Sequence, residues 1–277
     1  MFSFSEPTHS ATCKQKQRDI ADQVARCAAT YTKLLADEDE EILKLSLSEL
    51  VTRSSSGSLS PATVLNVYAQ QCVAAHAATN CLSDLMFDEA MVHYAPGKPL
   101  SGVPISLKDC IDVAGHDTSL GYSSRANRPV HSSAPIVRLL QDAGALIHVK
   151  TTVPTGLLSF ETQSDLFGRT TNPYNPQFSP GASTGGGAAL LAYRGSKIEI
   201  ASDLGGSVRF PAVYCGIYGM KASSGRFPST GCATSVPGLE GIQTTSPMAK
   251  DIDDLAQFWE RVVNMKPWEY DSTVRMS

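Results

Sequence analysis

The stretch that decides the fold reads Ser-Pro-Gly-Ala-Ser-Thr-Gly-Gly-Gly at residues 179–187. After a charged spacer it continues as Ile-Glu-Ile-Ala-Ser-Asp-Leu-Gly-Gly-Ser-Val-Arg-Phe-Pro at 198–211. Ser183 and Ser207 each lie beside glycines, which allow positive φ values and a close approach of the backbone. Ser207 follows an apolar, strand-like run, and a turn of this kind can point successive backbone N–H groups into one space. The pattern indicates serine chemistry.

Other glycine-rich motifs fit this stretch poorly. It lacks the Gly-Lys-Ser/Thr ending of a phosphate-binding loop and the spaced glycines of a dinucleotide fingerprint. It also lacks the nucleophile elbow of the serine hydrolases, because Arg209 stands where that motif requires glycine. The six histidines have no recognisable catalytic context, and we predict that they lie on the surface or in loops.

Composition limits the class of protein. The 277 residues are 42% hydrophobic and 18% charged, as in an ordinary globular protein, and the net charge of −4 disfavours nucleic acid as a partner. The seven cysteines are widely spaced, which predicts free, buried thiols in a reducing compartment and neither a disulfide framework nor a metal site. No apolar run is long enough for a membrane span, so we expect a soluble, cytoplasmic protein.

The N-terminal part is predicted to be a helical leader at 1–57, followed by a domain at 58–277. Residues 1 to about 35 have no firm hydrophobic period, which favours a loosely packed segment. The acidic cluster at 37–41 is typical of a helix start, because acidic side chains suit the positive end of the helix dipole. The serine-rich run at 54–58 is interpreted as a linker to a helix capped by Ser60, with Pro61 in its first turn.

Strand and helix patterns then alternate. Residues 103–107 predict a strand that ends at Lys108, and a second strand follows at 145–149. Between them we expect a helix from Pro135, capped by Ser132 or Ser133. Such a crossover predicts an α/β fold with a mixed, partly parallel central sheet flanked by helices. A further strand is expected at 198–201 and an amphipathic helix after Asp251.

Three segments together resemble the amidase signature family, and the resemblance covers roughly residues 59–274. They are Gly-Val-Pro-Ile-Ser-Leu-Lys-Asp at 102–109, the glycine-rich segment at 179–187, and Asp-Leu-Gly-Gly-Ser-Val-Arg-Phe-Pro at 203–211. The likeness is greatest to fungal acetamidases and general amidases, with fatty acid amide hydrolase more distant. It implies the amidase signature fold and hydrolysis of a small-molecule amide without a metal or organic cofactor.

The resemblance also implies a role for each matching residue. Ser207 would be the nucleophile, Ser183 a bridging serine in a cis peptide, and Lys108 the base. A desolvated lysine can serve as a base because burial disfavours its charged form. The resemblance also implies an oxyanion hole formed by backbone N–H groups, those of Leu204, Gly205, Gly206 and Ser207. Asp203 and Arg209 would be a hydrogen-bonded pair that braces this loop. Taken alone, a lysine after a strand is commonly a surface cation, here beside Asp109.

Members of this family normally continue well beyond the position that corresponds to Ser277. We therefore expect a chain that lacks the C-terminal part of the fold and exposes an unpaired sheet edge, which would favour homo-oligomerisation or aggregation. The alternative to an enzyme is a truncated, non-catalytic remnant that acts as a binding or interaction protein, or a non-functional fragment.

Overall fold

The computed structural model describes residues 8–31, 37–234, 236, 238–239 and 242–276. Eight α-helices lie within these residues: α1 His9–Thr30, α2 Asp37–Lys44, α3 Leu47–Ser56, α4 Pro61–Thr79, α5 Pro135–Asp142, α6 Gly185–Ala192, α7 Arg209–Tyr214 and α8 Ile252–Asn264. The strands are β1 Leu82–Leu85, β2 Pro104–Lys108, β3 Leu146–Thr151, β4 Gln163–Ser164, β5 Gly168–Arg169, β6 Ile198–Asp203, β7 Tyr218–Gly219 and β8 Thr244–Ala249.

Six of the strands form one sheet in the order β1-β3-β2-β6-β8-β7. The central pairs β2–β3 and β2–β6 are parallel, while β1, β8 and β7 are antiparallel to their neighbours. The predicted mixed, partly parallel sheet with flanking helices is therefore confirmed. Parallel strands end at the same edge of a sheet, so this topology brings the ends of β2 and β6, with Lys108 and Asp203, to one edge.

Helix α1 is a packed element, so the prediction of a loosely packed N-terminal segment is wrong for residues 8–31. Its side chains Cys13, Ile20 and Cys27 are buried. Lys16 Nζ makes a buried ion pair with Asp117 Oδ2 at 2.9 Å. The buried positions are few and widely spaced among polar residues, which explains why the sequence shows only a weak period.

Helix boundaries agree with the sequence in part. Ser60 Oγ accepts a hydrogen bond from Ala62 N, as predicted for the cap of α4. The expected cap of α5 is wrong: α5 follows Ala134, and Ser133 Oγ instead accepts from Ala114 N. Residues 54–56, interpreted as a linker, form the last turn of α3.

Several polar side chains lie deeper than their types suggest. His148 in β3 is fully buried, with Nε2 2.9 Å from the Gly195 carbonyl oxygen, so the prediction of surface or loop histidines is wrong at this position. All seven cysteines are free and buried, as expected. Within the described residues no helix is both long and apolar enough to cross a bilayer.

One edge of the sheet carries exposed apolar side chains. Its last strand, β7, is only two residues long, and Tyr218 in it is half exposed. Val213 and Tyr214 on the neighbouring helix α7 are also exposed. Association through this edge stays a prediction.

The packing of α1 can be tested with Ile20→Ala. Removing a buried isoleucine side chain should lower the free energy of unfolding by about 2–5 kcal/mol, because the apolar contacts are lost and a cavity remains. Urea unfolding of the purified chain measures this, and Lys14→Ala, at an exposed position of the same helix, is the matched control. Equal stabilities of the two variants would mean that α1 contributes no packing.

Candidate active site

Lys108, at the end of β2, has no solvent-accessible surface. Its Nζ lies 2.7 Å from Ser183 Oγ, 3.1 Å from the Ser202 carbonyl oxygen and 3.1 Å from Ser202 Oγ. The alternative of a surface cation beside Asp109 is wrong. The Asp109 carboxyl instead accepts hydrogen bonds from Ser119 Oγ and Leu120 N.

Burial lowers the pKa of Lys108 below its ordinary value, because an ammonium group away from water loses its hydration. The neighbouring groups Cys110, Asp203 and Glu199 oppose this shift without reversing it. No ion pair joins Lys108 to a carboxylate within the described part of the chain. A lysine in this environment becomes neutral at a lower pH than one in water, so it can accept a proton there.

Ser183 precedes α6 and is almost fully buried. The peptide bond between Ala182 and Ser183 is cis. Thr184, the next residue, donates its N–H to the Ser207 carbonyl oxygen at 3.2 Å, so the two glycine-rich segments are joined directly. The predicted nucleophile and bridging serine thus line one cavity, although no hydrogen bond joins the two serine hydroxyls.

Asp203 organises the loop between β6 and α7. Arg209 donates from Nε and Nη2 to the two carboxylate oxygens, both at 3.0 Å. Gly206 N and Val208 N donate to the same carboxylate at 2.8 and 3.2 Å. Burial alone would raise the pKa of Asp203, but these hydrogen bonds outweigh it and hold the pKa low. The carboxylate therefore stays ionised and fixes the turn, in which Gly206 has a φ of +130°.

One of the four N–H donors expected to form the oxyanion hole is already hydrogen-bonded within the loop. The Gly206 N–H is already occupied by Asp203 Oδ1, so in this conformation it is not free for a ligand. The N–H groups of Leu204, Gly205 and Ser207 make no hydrogen bond to any other described residue. Three of the four expected donors are therefore available, and the fourth shapes the turn.

A cavity of about 510 Å³ opens in front of the two serines. None of its described lining residues is charged, and six of them are large and apolar: Leu157, Leu158, Phe160, Leu204, Phe210 and Val236. The Phe160 and Phe210 rings meet edge to face with centroids 6.2 Å apart. An uncharged, apolar cavity of this size fits a neutral organic ligand better than an ionic one.

Sequence reasoning missed several of these residues. Ser202, which provides two of the three contacts of Lys108, lies just after the strand predicted at 198–201 and has no predicted role. Glu199 was also unassigned, although a single acidic residue between isoleucines of a buried strand is a recognisable signal. Phe160 carried no signal, because it lies in a loop far from the motifs in sequence.

Comparison with known proteins places the chain in a family. The model of the family described as Amidase matches residues 63–277. Fatty-acid amide hydrolase 1 of Sus scrofa is 37% identical over 96% of this chain and 46% of its own length. Acetamidase of Emericella nidulans is 35% identical over 87% of this chain and 46% of its own length. The two relatives match about equally well, so the greater distance expected for fatty acid amide hydrolase is not seen.

A solved structure described as fatty acid amide hydrolase superposes with a TM-score of 0.83, with 31% identity, over 99% of this chain and 49% of that chain. The chain thus spans about half the length of the curated relatives it matches. The family match covers more than three quarters of the chain, and the superposition covers nearly all of it. This chain belongs to the amidase family.

Proposed function

We propose that this chain carries the active site of an amidase, which hydrolyses a carboxylic amide to an acid and ammonia or an amine. One observation carries the proposal: a fully buried lysine contacts a serine in the wall of a cavity that also holds a second serine. The names of the relatives, fatty-acid amide hydrolase and acetamidase, support the same reaction class.

The three contacts of Lys108 are compatible with a neutral amine as well as with an ammonium group. Such an amine has two N–H donors and one lone pair. Ser202 offers two acceptors, its carbonyl oxygen and Oγ, and the third contact of Lys108 Nζ is Ser183 Oγ, which accepts from the charged amine and would donate its hydroxyl proton to the neutral amine. With both N–H groups on Ser202, the lone pair is directed to the Ser183 O–H. This is the arrangement of a base that can receive a proton through Ser183.

The reaction then follows in balanced steps. Ser207 Oγ bonds to the amide carbon while its proton passes to Ser183 Oγ, whose own proton passes to Lys108 Nζ. The tetrahedral intermediate collapses as the C–N bond breaks, and the leaving nitrogen takes a proton back along the same route. Water, deprotonated in the same way, attacks the acyl carbon; the ester bond to Ser207 Oγ then breaks, Ser207 Oγ takes the proton back from Lys108 through Ser183, and the acid leaves.

The intermediate carries a negative oxygen that needs donors. We assign this role to the N–H groups of Leu204, Gly205 and Ser207, which are held by the turn around Asp203. Fixed backbone donors stabilise such an oxyanion because they need no reorganisation during the reaction. Asp203 and Arg209 act indirectly, because their hydrogen bonds fix the conformation of the turn.

The cavity also favours a class of substrate. Phe160, Phe210 and Leu158 line the same cavity as Ser207 and provide no charge. A neutral amide with an apolar or aromatic substituent would bury that substituent there, and apolar burial is favourable in proportion to its area. We therefore propose neutral, apolar amides as substrates.

The nucleophile is tested with a fluorophosphonate probe, which reacts with an activated serine. Wild type should be labelled and Ser207→Ala should not, because the attacking oxygen is absent. Ser132→Ala, at an exposed position outside the cavity, should label like wild type. If wild type labels no better than Ser207→Ala, the enzyme proposal fails and the cavity is at most a binding site.

The base is tested by the pH dependence of the same labelling. The rate should rise with pH through the ionisation of Lys108, because only the neutral amine accepts a proton. Burial lowers the pKa of Lys108, so the rise should come at a lower pH than for an ordinary lysine. In Lys108→Met the rate should fall about 10²–10⁴-fold and lose this dependence. Lys98→Met, at an exposed position, is the control; an unchanged profile in Lys108→Met contradicts the role.

The substrate class is tested with Phe160→Ala. The KM for an aromatic amide such as benzamide should rise about tenfold relative to wild type, because part of the apolar contact is lost. The KM for acetamide should change less. Phe178→Ala removes an exposed phenylalanine outside the cavity and serves as the control. Equal effects on both amides would remove the assignment of Phe160.

A further inference from the structure

A second ionisable side chain lies buried beside the proposed relay. Glu199 in β6 has no accessible surface. Thr151 Oγ1 donates to its Oε1 at 2.7 Å. Its Oε2 is buried and has no hydrogen-bond partner among the described residues. No step of the proposed reaction uses this carboxyl group.

Glu199 lies on the same face of the sheet as Lys108. It pairs in register with Ser106, two residues before Lys108 on β2, and side chains two apart on a strand share a face. Thr151, its hydrogen-bond donor, pairs in register with Lys108. The carboxyl and the amine are therefore placed on neighbouring strands of one buried surface.

The helix that follows Ser183 covers this surface. A Cβ at position 187 would lie 2.4 Å from Cδ and Oε1 of Glu199, so only glycine allows the first turn of α6 to lie on the carboxyl group. Because α6 begins two residues after Ser183, the same close packing holds Ser183 over Lys108. The third glycine of the Gly-Gly-Gly run thus has a defined partner.

The two carboxyl groups near Lys108 differ in the cations beside them. Two carboxyl groups act on Lys108, those of Asp203 and Glu199. Asp203 has its own cation, Arg209. Among the described residues, Lys108 is the cation that acts on Glu199. Helix α6 provides no ionisable side chain there, and β8 places Met248 beside Glu199.

The other ionisable groups of this region are thiols. Cys81 lies close to Glu199, and Cys110 and Cys232 lie close to Lys108. Burial raises the pKa of all three thiols, which keeps them neutral at physiological pH. Because the thiols are neutral, the charged groups that remain beside Glu199 in the described part of the structure are reduced to Lys108.

We propose that Glu199 is a positioning residue of this site, whose charge sets the charge of Lys108. This inference rests on the proposed function, in which Lys108 is the base of the reaction. When Glu199 is protonated, the buried interior favours the neutral amine. When it is ionised, it favours the ammonium form, because opposite charges attract strongly away from water.

Glu199 is expected to change its charge close to neutral pH. Burial raises its pKa to about 7, although the hydroxyls of Ser106 and Thr151 and the charge of Lys108 act in the opposite direction. The carboxyl group therefore changes its charge near neutral pH. Two buried groups that interact in this way titrate as a pair.

The test is a titration of Lys108 itself. In chain labelled with ¹³C at the lysine Cε, the resonance of Lys108 is assigned by its absence in Lys108→Met and followed with pH. In Glu199→Gln the midpoint should fall by about one pH unit, because the negative charge that favours the ammonium form is gone. Glu199→Met removes the same charge without a buried amide and should give the same shift if Glu199→Gln does not fold.

Asp271→Asn is the matched control. Asp271 is a buried carboxyl that accepts hydrogen bonds from Ser229 N and Thr230 N and is not among the groups that most affect the pKa of Lys108. In Asp271→Asn the pH midpoint of the Lys108 titration should equal that of wild type. A midpoint that is the same in wild type and in both Glu199 variants, or that is reached in none of them, overturns the inference.

Fluorophosphonate labelling of the same variants separates the two proposals. A shifted Lys108 midpoint without labelling of Ser207 at any pH means that the proposed function fails and the charge coupling stands. Labelling of Ser207 with an unshifted Lys108 midpoint means the reverse. If both proposals hold, the labelling rate of Glu199→Gln at a pH below the wild-type midpoint should exceed that of wild type by about tenfold.

Discussion

The burial of the Lys108 amine is the constraint on which the rest of the site depends. A charged amine away from water is unfavourable unless it is paired, and no carboxylate makes an ion pair with it in the described chain. The protein supplies uncharged hydrogen-bond partners instead, from Ser202 at the end of β6 and Ser183 before α6. Because these residues come from separate elements, the sheet and α6 must pack closely before the amine has partners. The sheet order that places β2 between β3 and β6 makes this possible.

Two buried carboxyl groups near this amine are treated differently by the fold. Asp203 is bound by Arg209 and by backbone N–H groups, so it stays ionised and serves the geometry of the loop. Glu199 has the uncharged hydroxyls of Thr151 and Ser106 beside it and lies under the backbone of α6, so its ionised form is poorly stabilised. The contrast follows from position: the end of a strand offers free N–H groups and solvent for a guanidinium, whereas the middle of a covered sheet offers neither.

The first 57 residues belong to the packed structure as far as they are described. Helix α1 lies against β1 and α4, and the ion pair of Lys16 with Asp117 is almost fully buried. At the β7 edge of the sheet, by contrast, apolar side chains of α7 and β7 remain exposed. The chain spans about half the length of its relatives, and its proposed catalytic groups nevertheless lie within that half.

The sequence by itself determined the family, the partly parallel sheet and the candidate residues Lys108, Ser183 and Ser207, because short motifs with fixed spacing and alternating apolar strands are local properties of the chain. It did not reveal that α1 is packed, that Gly206 N–H is occupied by Asp203, or that Glu199 lies beneath Gly187. Only the tertiary structure decided these points. Each depends on which groups from distant segments compete for the same donor, acceptor or space, and a linear pattern does not contain that competition.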